Sequence, residues 1–282
     1  EYPTVIFGDF SEEFLDLPDE ILVTVMRDHQ KYFAVEQRDG GLSPHFLAVI
    51  NMDADRRGLV RAGHERVLRA RFADARFFWE HDQKCRLADN MPRLAHVTYE
   101  SRLGSYAGKV ERMKSLAGWF AGQWFNSGIL QADVAGSVRA AELAKCDLVT
   151  GMVGEFPELQ GIVGGLYAKE QGEPDEVAWA VYDHYRPLGL DESIPRNLTG
   201  CTVALADKLD ALVGCFAVGM IPSGSSDPFA LRRAALGIVK IILDRKVPVS
   251  LSASISAAAG ILESQPPKTQ VSAQVQAQVL EF

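Results

Sequence analysis

Seven arginines fall between residues 56 and 76, against only two acids, Glu65 and Asp74. In the stretch from Arg61 to Trp79, Leu68, Phe72, Ala75 and Trp79 recur at helical spacing and share one apolar face. Arg66, Arg69 and Arg76 fall on the opposite face, and Arg71 lies within the apolar sector. A guanidinium presents a planar fork of donors that matches phosphate oxygens, so such a row suits the backbone of an RNA. The competing reading is a solvated face laced by pairs such as Arg76 with Glu80. Arg71 is the exception, because a cation among apolar neighbours requires a partner. A second cationic candidate is the turn Ile221-Pro222-Ser223-Gly224-Ser225-Ser226-Asp227-Pro228, followed by Arg232 and Arg233. Here Asp227 suits an N-cap and Pro228 the first helical position, with Leu231, Ala235, Ile238 and Ile242 as the buried stripe. A helix start with two arginines one turn in suits a phosphate, whereas simple capping competes and Asp227 would repel an anion.

A third candidate is carboxylate chemistry. The run from Ala141 to Thr150, with Cys146-Asp147, resembles the second helix of HD-type phosphohydrolases, and Ala206-Asp207-Lys208-Leu209 resembles their closing helix. In those enzymes histidines and aspartates hold a metal that activates water. Here the doublet reads Cys146-Asp147, and no histidine stands between His96 and His184, so His184 and Asp207 alone cannot close such a site. A retained fold with its chemistry erased is expected, with a divergent metal phosphohydrolase as the alternative. Asp9, Glu12 and Glu13 read as solvated surface. There is no phosphate-binding G-x-x-x-x-G-K-[ST] loop, and Gly161-Ile162-Val163-Gly164-Gly165 is too loose a match to a dinucleotide turn.

These groups must be carried by elements that the patterning suggests. Thr4-Val5-Ile6-Phe7, Lys31-Tyr32-Phe33-Ala34-Val35 and Phe46-Leu47-Ala48-Val49-Ile50 read as strands, the last two joined through Asp39-Gly40-Gly41. Pro18-Asp19-Glu20 opens a helix, and the Arg-rich helix covers about 63–81. Beyond residue 103 the 3.6-residue period dominates, over 109–125, 134–155, 175–185, 202–218 and 227–244. The expected fold class is α+β: an α/β unit over 1–102, an all-helical HD-like domain over 103–249, and the start of a further helical segment over 250–282. Four scattered cysteines without a C-x-x-C pair suit a reducing cytoplasm rather than a disulfide framework. The net charge of -8 argues against a wholly basic nucleic-acid binder. A local basic strip on an acidic body still holds phosphates, because screening makes the attraction short-ranged. No apolar run suits a membrane span, and the lack of an initiator Met together with an apolar periodic final segment is expected of a piece of a longer chain.

Read together, several motifs are similar to the β subunit of the two-subunit bacterial glycyl-tRNA synthetases. They are His29-Gln30-Lys31-Tyr32-Phe33, Glu65-Arg66-Val67-Leu68-Arg69-Ala70-Arg71, Leu116-Ala117-Gly118-Trp119, Lys145-Cys146-Asp147-Leu148, Ala206-Asp207-Lys208-Leu209-Asp210 and Asp227-Pro228-Phe229-Ala230-Leu231-Arg232-Arg233. The resemblance implies a subunit that engages tRNA(Gly) and supports a separate catalytic α subunit in an α2β2 assembly. ATP and Mg would be used through that α subunit, this chain binding no cofactor or metal and holding no catalytic residue. The arginines singled out above are the expected tRNA contacts, Arg66, Arg69, Arg71 and Arg76 first and Arg232 and Arg233 second, a purely structural scaffold being the remaining alternative. Anticodon binding would lie beyond Phe282. Two residues depart from the family pattern: His64 stands where Asn is usual, and Ser226 where Lys is usual.

Overall fold

The computed structural model describes residues 2–53, 55–128 and 133–282. The chain forms two compact units, the first comprising Glu1–Cys85 with Thr150–Gln160, the second Arg86–Val149 with Gly161–Phe282. The break thus falls near residue 85, where the patterning suggested 102.

The first unit opens with β1 (Pro3–Asp9), α1 (Asp19–Thr24), β2 (Phe33–Glu36), β3 (Leu42–Asn51) and α2 (Leu59–Asp82). Strand order is β1-β3-β2, all antiparallel, with Ile6 opposite Ala48 and Phe33 opposite Leu47. Alternation sends Ile6, Phe46, Ala48 and Ile50 into the core and leaves Val5, Phe7, Phe33 and Val49 exposed. Gly8 is required by close approach, since a Cβ there would lie 2.4 Å from the Phe46 ring. Helix α2 buries Leu68, Phe72 and Ala75 as its spacing predicts, with Phe72 meeting Phe10 edge-on at 5.0 Å.

The small hairpin of β4 (Thr98–Glu100) and β5 (Gly104–Ser105) leads into α3 (Tyr106–Asn126) and belongs to the second unit. This explains the shifted boundary: the last strands in sequence pack with the helices, Leu103 being fully buried there. Helix α4 (Val134–Leu143) is shorter than the expected 134–155. A 3-10 turn at Cys146–Val149 follows, and Thr150, in extended conformation, starts α5 (Gly151–Glu155) by accepting a hydrogen bond from Val153 N. Segment Thr150–Gln160 is held in the first unit by Asp82, whose carboxylate accepts from Gly151 N (2.9 Å) and Met152 N (2.8 Å).

The second unit continues with α6 (Ile162–Glu170), α7 (Asp175–Asp183), α8 (Leu198–Ala217), α9 (Leu231–Arg245), α10 (Leu251–Ser264) and α11 (Ala273–Glu281). Helix α8 starts earlier than expected, at an Asn197 cap whose Oδ1 accepts from Gly200 N (2.7 Å). It is buried along nearly its whole length and packs against α3, α4, α7, α9, α10 and α11. A helix buried on all sides is the natural centre of such a layer. The molecule is thus a helix-rich α+β protein with small sheets. Among the described residues no helix is long and apolar enough to cross a membrane.

Candidate functional site

The arginines of α2 divide into two kinds. Arg66 and Arg69 are exposed, and among the described residues neither has an ion-pair partner. Arg71 is half-buried and Nη1 donates to Glu155 Oε1 at 2.8 Å, the partner its apolar setting demanded. Arg76 departs from the expected solvent face. Its guanidinium lies 4.7 Å from the Phe14 ring centroid, donates to the Glu13 carbonyl oxygen, and meets the Glu13 carboxylate at 3.5 Å. Asp9, Glu12 and Glu13 are exposed as expected, Asp9 pairing with His45 at 2.6 Å and Glu13 meeting Arg76. His64 is bonded through Nδ1 to the Tyr32 hydroxyl, a contact that ties α2 to the start of β2. No feature of the α2 sequence alone marks Arg76 for packing, because its partners lie 63 residues away.

Arg232 and Arg233 belong to the other compact unit. Helix α9 begins at Leu231, later than the expected Pro228, because Ala230 takes a left-handed conformation (φ 53°). Asp227 still caps it, its carboxylate accepting from Leu231 N (2.7 Å) and Arg232 N (3.0 Å). The amides that would receive a phosphate are thereby filled by an internal anion. Arg232 is half-buried beside an apolar cavity of about 400 Å³ shared with Leu212, Leu236, Ile255 and Phe282, while Arg233 is exposed.

Asp207, with Asp210 three residues on, anchors a buried charge network. Lys145 Nζ donates to His184 Nε2 (2.9 Å) and to Asp207 Oδ2 (2.9 Å), and stands 3.7 Å from the Tyr185 ring centroid. His184 Nδ1 faces the Val181 carbonyl oxygen, so Nδ1 carries the hydrogen and Nε2 accepts. Asp207 Oδ1 meets Lys109 Nζ (2.9 Å), which also reaches Asp210 Oδ2 (3.1 Å). Arg112 closes the network with a two-pronged bond to Asp210 at 2.6 and 3.1 Å. Burial would raise the Asp207 carboxyl, but the ammonium groups of Lys109 and Lys145 outweigh it and hold the group well below the usual carboxylate range. Burial, reinforced by Lys145, holds His184 well below its ordinary value and keeps it neutral. Burial lowers Lys145 to about 8 against the pull of Asp207. Asp147 lies near enough to this network to feel the Lys145 ammonium. It accepts a hydrogen bond from Gly161 N, and burial pushes its carboxyl up to about 6. The Cys146 thiol donates to the Glu142 carbonyl oxygen, and burial raises its pKa to about 12, which disfavours the thiolate.

These residues do not fit a divalent cation. His184 and Asp207 converge, but the Lys145 ammonium fills the space between them. Among the described residues no three His, Cys, Asp or Glu side chains are placed to hold a metal ion. The sequence signal that would have exposed this was Lys145 itself, a lysine just after the small apolar residues Ala140-Ala141 and Leu143-Ala144, all of which are buried.

Comparison with known proteins bears on all 282 residues. The chain matches, over residues 1–282, the family model described as glycyl-tRNA synthetase beta subunit. It is 51% identical over 260 residues to the glycine–tRNA ligase beta subunit of Acidobacterium capsulatum, covering 92% of this chain and 37% of that protein. It is 47% identical over 282 residues to that of Geobacter sulfurreducens, covering 100% of this chain and 40% of that protein. The counterpart from Pseudomonas fluorescens is 45% identical over 260 residues, 92% of this chain and 37% of its own length. The chain thus spans about two fifths of the length of these relatives, and it belongs to the glycyl-tRNA synthetase beta subunit family.

Proposed function

We propose that this chain is the tRNA-engaging part of a glycine–tRNA ligase β subunit, serving a catalytic α subunit in an α2β2 assembly. ATP and Mg are used at the α subunit, in the cytoplasm, and this chain supplies binding and support rather than reacting groups. The observation that carries the tRNA reading is the pair Arg66 and Arg69, two exposed guanidinium groups without ion-pair partners among the described residues, one turn apart on α2. Arg71 and Arg76, which share the helix with them, hold α2 in place and shape its outer face. Arg232 and Arg233 remain secondary contacts. Support for reading the second unit as an HD-type domain with its chemistry erased comes from Lys145, which neutralises Asp207 where a hydrolase would need a metal. The same lysine weighs against the phosphohydrolase alternative.

Substituting Arg66→Glu with Arg69→Glu in the full β subunit tests the reading. The expected outcome is at least a tenfold loss of tRNA affinity and a raised KM for tRNA, with an unchanged melting temperature, since both side chains are exposed and unpaired. Unchanged tRNA affinity in the folded variant would refute the role given to these two residues.

A further inference from the structure

The β1 edge of the sheet is open in a specific way. Phe10 N donates to Pro44 O at 3.0 Å, and the β1–β3 register runs unbroken from Pro3 opposite Asn51 to Asp9 opposite His45. In an antiparallel ladder, bonded and non-bonded pairs alternate. Gly8 and Ile6 therefore exchange bonds with β3, while Asp9, Phe7 and Val5 turn their N–H and C=O groups away from it. Asp9 N is satisfied by Glu65 Oε1 of α2 at 3.2 Å, which fits this phase. Among the described residues β1 has no second strand neighbour, so the backbone rungs of Val5 and Phe7 face outward.

They face a groove of about 590 Å³ that runs beside Thr4, Val5, Ile6 and Phe7 and is walled by Arg56, Arg57 and Arg61 at the start of α2. The fourth charged lining residue, Asp55, is already engaged, its carboxylate accepting from Arg61 N (2.8 Å) and Val60 N (3.3 Å). Arg57 has no ion-pair partner among the described residues, Arg61 meets Glu65 at 3.7 Å, and Arg56 meets only Asp53 at 3.4 Å in a pair almost fully exposed, which contributes little. Val5 and Phe7 also hold their side chains exposed on the outer face of the sheet. Open rungs, apolar side chains of alternate residues and three arginines on one wall together describe the acceptor for an added strand.

We propose that this edge receives an extended acidic segment of the partner subunit as a fourth strand, its backbone bonding to Val5 and Phe7 and its carboxylates meeting Arg56, Arg57 and Arg61. The inference rests on the reading of the chain as one subunit of a two-subunit ligase. An RNA strand would satisfy the arginines but leave the rungs and the apolar side chains unused. A second copy of this chain, paired β1 to β1, would gather six arginines about one axis. An acidic polypeptide uses all three features.

The test uses the full-length β subunit and its purified α partner, with association measured by calorimetry and amide exchange measured with and without the partner. Val5→Pro removes the outward N–H while sparing the β3 ladder, a position where an edge strand tolerates proline. Arg57→Glu reverses the wall charge and leaves the backbone intact, so the test survives if the proline variant fails to fold. The expected results are at least a tenfold weaker association for each variant and protection of the Val5 and Phe7 amides on mixing. Parent-like association of Arg57→Glu with unchanged exchange at both amides overturns the proposal. Unchanged association with lowered tRNA affinity also overturns it, assigning the groove to RNA. Failure of the unaltered subunits to associate contradicts instead the two-subunit reading beneath it.

Discussion

Asp147 and Asp207 are both buried aspartates of the second unit, yet their carboxyl groups are driven in opposite directions. Burial acts on each. Asp207 meets two ammonium groups that overcome it, whereas Asp147 meets chiefly a backbone amide that does not. Because its folded-state pKa of about 6 lies above the unfolded 3.8, Asp147 costs stability above pH 6, and the cost vanishes as pH falls below 3.8. Asp147→Asn is therefore expected to stabilise the chain at pH 7.5 by roughly 1–3 kcal/mol, the ceiling being two pKa units at about 1.4 kcal/mol each. Urea unfolding of both proteins should show that gain shrink between pH 6 and pH 4; a pH-independent difference would show that burial does not perturb this group. The reverse holds for Arg112, whose loss leaves the buried Asp210 carboxylate to Lys109 alone. Arg112→Met should destabilise the second unit by about 3–5 kcal/mol, read from the same denaturation curves, and a loss below about 1 kcal/mol would contradict the pairing with Asp210.

At the scale of elements, periodicity carried much and local chemistry the rest. The stripe Leu68, Phe72 and Ala75 was legible because helical spacing is a property of neighbouring residues, and the three strands of the first unit were legible because their patterning is local too. What escaped was set by distant partners. Arg76 sits on the polar arc of α2 by spacing, but Phe14 and Glu13 draw it inward. The stretch 134–155 reads as one helix, yet Thr150 caps a new one and Asp82, some 69 residues earlier, holds its first amides. Lys145 was visible only as a residue beside a suspected doublet, its bonds to His184 and Asp207 spanning 39 and 62 positions. Asp82→Ala tests the first of these long ties. It removes two capping bonds, so about 1–2 kcal/mol of local protection should be lost, seen as faster exchange of the Gly151 and Met152 amides while α8 is unaffected. Unchanged exchange there would mean that Asp82 does not fix the returning segment.

At the scale of the molecule, an acidic chain of net charge -8 concentrates its arginines between residues 56 and 76. The fold gives the members of that cluster different roles. Arg71 and Arg76 anchor α2, Arg56, Arg57 and Arg61 wall a groove beside β1, and Arg66 with Arg69 faces solvent without ion-pair partners among the described residues. Phosphate contacts made by so few residues have a clear signature, because counterion release scales with the number of phosphates neutralised. The most direct measurement is a fluorescence anisotropy titration of the 282-residue chain with glycine tRNA at several salt concentrations, repeated for Arg66→Glu with Arg69→Glu. The expected result is log-linear weakening with salt, and a slope shallower by about 1.5–2 in the variant. Equal slopes for the two proteins, or no binding at low salt, would contradict the assignment of phosphate contacts to α2.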